Sequence, residues 1–315
     1  MAERWGVRTG VRTGALRCGA LSLMLISACT SGQEDNTAGQ SPRERWTVPG
    51  EPPLRALKVA GTLREARLTE ASGIVASSIE LGVFWSQNDR GNSATLFAYD
   101  SAGAPRGTLR VRGADNTDWE AIAIGPCPSG RCLFIGDVGD NFAVRTDVRV
   151  WRIAEPITTA SVSESATSLR IAYPGGARDV EAMWVAPDTS LWFATKRPDR
   201  DADRRLRRSQ IYRVPALAWS AGAVATAELV DSLPIVPGTS ASRDWVTDAS
   251  LSAILRDGRR RLAILTYGSV YIFDADPNTG RPGAQLARCA VPQGERNAEG
   301  ISWLVDGRLV LVNEG

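Results

Sequence analysis

The chain repeats itself. Five segments share one plan, a polar acidic start, a small residue and then an apolar run: LTEASGIV (68–75), DWEAIAIG (118–125), RDVEAMWV (178–185), VTDASLSAI (246–254) and NAEGISWL (297–304). Their aligned acids are Glu70, Glu120, Glu181, Asp248 and Glu299, separated by 50, 61, 67 and 51 residues. A period of that size is one propeller blade plus variable loops. Each start is followed by a second apolar run with its own polar stop: VFWSQNDRG (83–91), LFIGDVGDN (133–141), LWFATKRP (191–198), LAILTYG (262–268) and LVLVNEG (309–315). In four repeats a third and a fourth run follow, LFAYD and TLRVRG in the first of them. Short strands punctuated by turns, four to a repeat, are the mark of a β-propeller.

The expected fold is therefore all-β: a propeller of five visible four-stranded repeats, hence five blades, with room in the long gaps for a sixth. The last repeat has only two runs before Gly315, and LKVAGTLR (57–64) stands ahead of the first repeat at a fourth-strand position. This N-terminal strand is expected to join the last blade and close the ring, leaving no unpaired sheet edge at the seam. A hydrophobic fraction of 43% in 315 residues can fill such a core.

The N-terminus reads as a targeting segment. Arg4, Arg8, Arg12 and Arg17 precede a short apolar run, Cys18 to Ala28, too short to span a bilayer. It ends in Ile26-Ser27-Ala28-Cys29, which resembles a bacterial lipobox and implies cleavage before Cys29 and lipid attachment to its sulfur. The domain plan is a leader at 1–28, a lipidated Cys29 with a flexible tether to residue 56, and a propeller at 57–315. The protein is then exported and held by its lipid on the cell membrane or outer membrane. The leader carries four Arg and one Glu, so the remaining chain falls from +2 to −1. That balance gives no electrostatic case for nucleic acid.

There is no histidine. A Ser-His-Asp triad and a histidine-ligated metal are excluded, so any chemistry falls to carboxylates, Lys, Tyr, Ser or an oxygen-bound cation. Cys127 and Cys132 flank Pro-Ser-Gly-Arg and suit a hairpin disulfide in an oxidising compartment. Cys289, in an apolar run, reads as a small buried hydrophobe.

In a blade the start of the first strand and the end of the antiparallel second strand share one end. Both polar motifs of every repeat should therefore meet round the axis. Crowded carboxylates need a cation, a lysine or backbone donors. Calcium takes six to eight oxygens from such groups, with Glu70, Asn88, Asp89, Asp137, Asp140 and Asn141 as candidate ligands. Glu120, Glu181, Lys196, Asp248, Tyr267, Glu299 and Glu314 are the candidate catalytic or ligand-binding residues. The same acids also suit a plainer role, bonding loop amides and tying blades together.

The run EASGIVAS, FWSQNDRG, TDWEAIAIG and GDVGDN resembles motifs of a group of secreted bacterial β-propeller lipoproteins, over most of residues 60–315. More distantly it is similar to propellers of the gluconolactonase and regucalcin type, to SdiA-regulated propellers and to the esterase-like phytases. The gluconolactonase resemblance implies one divalent ion, with Glu70, Asn88 and Asp137 in its ligand positions. Two functions fit. One is an envelope propeller that binds a glycan, a peptide or another protein at its acidic face. The other is a calcium-dependent hydrolase of a lactone, ester or phosphoester, with Glu181 or Asp248 as base and Lys196 and Tyr267 as electrostatic stabilisers.

Overall fold

The computed structural model describes residues 22–26, 58–198, 207–235, 242–291 and 297–314. Cys29 and the expected tether lie outside the described residues. Among the described residues the architecture is all-β, with one short 3-10 turn at Ala216–Ser220. It is a β-propeller arrangement in which four blades are successive meanders.

Blade one runs outward from β3 (Val75–Ala76) through β4 (Val83–Gln87), β5 (Thr95–Asp100) and β6 (Pro105–Arg112). Blade two uses β7 (Trp119–Cys127), β8 (Gly130–Asp137), β9 (Val148–Ala154) and β11 (Thr167–Ala172). Blade three uses β12 (Val180–Val185), β13 (Leu191–Thr195), β14 (Gln210–Val214) and β16 (Glu228–Ser232). Blade four is β17 (Val246–Leu251), β18 (Arg260–Thr266), β19 (Ser269–Ala275) and β20 (Pro282–Ala290). A further sheet pairs β21 (Ala298–Trp303) and β22 (Leu309–Asn313) with β1 (Ser22–Ile26) and β2 (Lys58–Thr62).

Two short strands escaped the repeat pattern. β10 (Val162–Ser165) leaves blade two to pair in parallel with β6, and β15 (Ala225–Thr226) leaves blade three to pair in parallel with β11. Each laces a blade to its predecessor at the rim. In the last sheet β2 does not touch β22 directly. β1, from the apolar run expected to be a leader, sits between them.

Burial explains the sequence texture. β4, β12, β13 and β22 are buried along their whole length, because an inner strand is covered by a neighbouring blade on each face. They read as continuous apolar runs for that reason. β6 and β20 alternate toward their ends because only one face of a rim strand is covered. Apolar clusters fill the spaces between adjacent sheets. Met183 and Phe193 pack with Phe134 and Val150 between blades two and three, and Phe84, Phe97 and Ile74 pack with Val310 and Val312 between the last sheet and blade one. The innermost strands adjoin in the order β3, β7, β12, β17, β21 and back to β3.

Cys127 and Cys132 are joined in a disulfide, with Cα atoms 5.8 Å apart, across the β7–β8 turn. Cys289 is buried, as its apolar surroundings suggest, but it is also disulfide-bonded rather than simply a packed thiol.

Candidate functional site

One backbone irregularity builds the site. In β7, β12, β17 and β21 the register with the second strand slips by one residue near the strand start. The extra residues are Glu120, Glu181, Thr247 and Glu299. A β-bulge of this kind turns the extra side chain out of the sheet's alternation. Ser72 holds the same place in blade one, where its N–H donates to Gln87 O. Its Oγ then donates to Glu120 Oε2 at 2.8 Å.

A second ring lies just outside the first. One backbone bond recurs between the residues flanking each strand pair: Asp89 N to Glu70 O, Gly139 N to Asp118 O, Lys196 N to Asp179 O, Tyr267 N to Trp245 O, and Glu314 N to Asn297 O. The side chains of Asp89, Lys196, Tyr267 and Glu314 all reach one axial cavity. Blade two has glycine here because a Cβ on Gly139 would stand 2.6 Å from Glu120 Cγ and 2.7 Å from Asp118 Cγ. The cavity holds about 170 Å3 and is also lined by Glu70, Ser72, Glu120, Asn141, Glu181 and Glu299. Among the described residues Lys196 is the one cation that lines it.

The electrostatics follow from that imbalance. Lys196 Nζ donates to Glu181 Oε1 in a buried ion pair. Burial pushes Glu120 and Glu181 well above the usual carboxylate range; Glu181 adds to the push on Glu120, while Lys196 pulls Glu181 back. Glu299 is pushed up to about 8, by burial first, with Lys196 and a hydrogen bond to Tyr267 opposing. Asp89 is raised to about 7 by burial and by Glu70 beside it. Burial and Glu70 also raise Glu314. Burial alone would lower Lys196, but Glu181, with Glu120 and Glu299 behind it, outweighs it and the ammonium is held more firmly than usual. Burial and Glu299 keep the Tyr267 hydroxyl protonated. At neutral pH the cavity thus keeps one ammonium and takes up extra protons on its carboxyls.

Several expected site residues stand elsewhere. Asp248 is fully buried in β17, one residue past the bulge, and accepts the N–H groups of Ala249 and Ile301, each at 2.7 Å. It joins β17 to β21 and does not line the cavity. Asn88 Oδ1 accepts from the amides of Thr69 and Glu70, and its Nδ2 donates to Arg67 O. Asp137 accepts from the amides of Thr117 and Asp118 and pairs with Arg145 at 2.8 Å. Asp140 accepts from the amides of Val144 and Arg145. These three are loop ties, and the six-residue calcium set does not assemble. Among the described residues no three acids converge on a point that would hold a metal ion. Glu70, Asp89 and Asn141 of that set do reach the cavity wall. Arg145, which locks Asp137 and donates to Gly139 O at 2.9 Å, carried no signal in the sequence because it lies in a loop outside both repeated motifs.

No protein-family model matches the chain. No curated protein matches it in sequence. Among solved structures, a gluconolactonase from Xanthomonas campestris is similar at 15% identity and a TM-score of 0.38, with 76% of this chain and 69% of that one covered. Virginiamycin B lyase from Staphylococcus aureus is similar at 13% identity and 0.36, covering 85% and 71%. The pyranose dehydrogenase PQQ domain from Coprinopsis cinerea is similar at 10% and 0.42, covering 82% and 84%. At identities this low none of these activities transfers to the site, and the propeller assignment rests on the chain's own sheets.

Proposed function

We propose that this chain is a cell-envelope lipoprotein whose five-bladed propeller binds a small donor-rich ligand in the acidic axial cavity. The observation that carries the reading is the cavity's composition. Six carboxyl side chains, those of Glu70, Asp89, Glu120, Glu181, Glu299 and Glu314, face one lysine. The space of about 170 Å3 is below the ~300 Å3 at which drug-sized pockets begin, so the ligand is a single ring or one side chain. A ligand ammonium replaces the protons held by the crowded carboxyls, and ligand hydroxyls donate to the rest. An amino sugar, as an envelope glycan presents, has both groups.

The test is calorimetry with glucosamine, N-acetylglucosamine and glucose at pH 6 and pH 8. Glucosamine is expected to bind and to release protons as it does so. N-acetylglucosamine, which lacks the charge, is expected to bind at least tenfold more weakly, and Glu181→Gln should weaken glucosamine. No heat from any of the three would overturn the reading.

The five-blade count belongs to the same proposal, supported by the circuit of innermost strands; in the lipidated form ring closure requires β2 to take the place of β1 beside β22. Lipidation at Cys29 would take β1 away with the leader, so a given molecule has either the anchor or β1. Mass spectrometry of the protein purified from its own membrane separates the two: an acylated N-terminus at Cys29 supports anchoring, and a chain that retains 22–26 refutes it.

A hydrolase is the second reading, favoured by Glu299 near neutrality beside Tyr267. A carboxyl with that value is suited to proton transfer. No metal step is derived, since Asn88, Asp137 and Asp140 are engaged with backbone amides.

A further inference from the structure

The axis has a second mouth of opposite character. Past the acid cavity the innermost strands close on a void of about 20 Å3 among Ile74, Ile122, Trp184 and Ala249. Beyond this apolar plug, at the C-terminal ends of the same strands, lies a cavity of about 370 Å3. Its wall includes Arg131, Arg260, Trp303 and the serines 77, 250 and 302 and, among the described residues, no Asp or Glu.

Each of the two arginines keeps guanidinium N–H groups with no acceptor among the described residues. Arg131 is the second residue of β8 in blade two, and Arg260 starts β18 in blade four. Arg260 is fixed by two backbone carbonyls, Nε to Pro277 O at 3.0 Å and a terminal nitrogen to Ser252 O at 2.7 Å. Its other N–H groups have no partner among the described residues. Arg131 makes no side-chain hydrogen bond or ion pair among the described residues, and its charge acts on Arg260. The indole N–H of Trp303 in the same wall is buried with no acceptor. Of these donors only the Trp303 N–H is buried, and a buried donor is normally satisfied; Arg131 is exposed and Arg260 half-buried, so their free N–H groups face solvent, where like charges brought to one cavity favour an anion. A guanidinium fork matches the paired oxygens of phosphate and carboxylate.

We propose that this mouth is a binding site for a small anion carrying phosphate or carboxylate oxygens, held between Arg131 and Arg260 with the Trp303 N–H as a further donor. It is separated by the plug from the acidic cavity, and does not depend on what that cavity binds.

The test is calorimetry of the full chain at low salt with inorganic pyrophosphate and with citrate. One saturable site is expected for at least one probe, and the stronger probe names the anion class. Arg131→Met removes no side-chain bond among the described residues, so it should keep the wild-type melting temperature and lose at least tenfold in affinity. Arg260→Met should do the same to affinity. Arg106→Met, which changes an exposed arginine in β6 by the same charge, should leave binding unchanged. No saturable heat with either probe overturns the proposal. Equal losses in Arg131→Met and Arg106→Met also overturn it, since the effect would then be net charge alone.

Discussion

The acid cavity should make the fold less stable as pH rises, and Glu299→Gln should remove a definable share of that loss. Glu299 titrates at about 8 in the folded chain against an ordinary 4.5. The folded value is the higher one, so the native state holds the proton more tightly than the unfolded state. The stabilisation is complete below 4.5 and fades as pH rises through about 8. Between pH 5 and pH 7.5 this one group withdraws about 3 kcal/mol, taken as an upper figure because its carboxyl borders the cavity. In a propeller of this size that is a fall of about 6 °C in melting temperature. Glu120 and Glu181 act in the same direction, so the wild type should lose more than this single share. The assay is urea denaturation at the two pH values and constant ionic strength, on wild type and Glu299→Gln. Glutamine keeps the shape and does not titrate, so its pH dependence should be shallower by up to that amount. Parallel curves for the two proteins would refute a proton-loaded cavity.

Two further outcomes test the structural roles. Asp248→Ala leaves the buried amides of Ala249 and Ile301 without acceptors and should cost about 3 kcal/mol in urea denaturation, while glucosamine binding by the folded protein is retained; a fully stable Asp248→Ala protein that has lost binding would return Asp248 to the site. Cys132→Ser opens the short Cys127–Cys132 loop and should cost about 2 kcal/mol by the same measurement, because little chain entropy is at stake in so small a ring.

The repeat was legible because each blade buries the same inner strands in the same way, and burial on both faces forces the same apolar run at each copy. The polar stops were legible too. Asp89, Lys196, Tyr267 and Glu314 differ in chemistry yet follow the second strand at one equivalent point, and they meet in one cavity. Asp248 shows where the pattern misled. It aligns with Glu120, Glu181 and Glu299 by eye, but the bulge puts Thr247 in register with them. In a strand one residue of slip sends a side chain to the other face. In blade one the offset is two residues, from Glu70 in the repeated motif to Ser72, which holds the bulge position. A bulge depends on pairing with the neighbouring strand, so nothing local to VTDASL announces it.

Asn88, Asp137 and Asp140 were misplaced for a different reason. Asn and Asp at loop tips suit a metal and a loop amide equally well, and the choice is made by which donor the folded loop brings near. Arg131 and Arg260 were invisible as a pair, since 129 residues and one intervening blade separate them. The sequence by itself determined the repeating strands, the absence of histidine chemistry and the acidic character of one end of the axis, because these are properties of composition and period. Only the tertiary structure decided which acids point inward, which hold loops together, and that the far mouth is basic. Those depend on strand register and on contacts between blades, and both arise only when the sheets pack around a common axis.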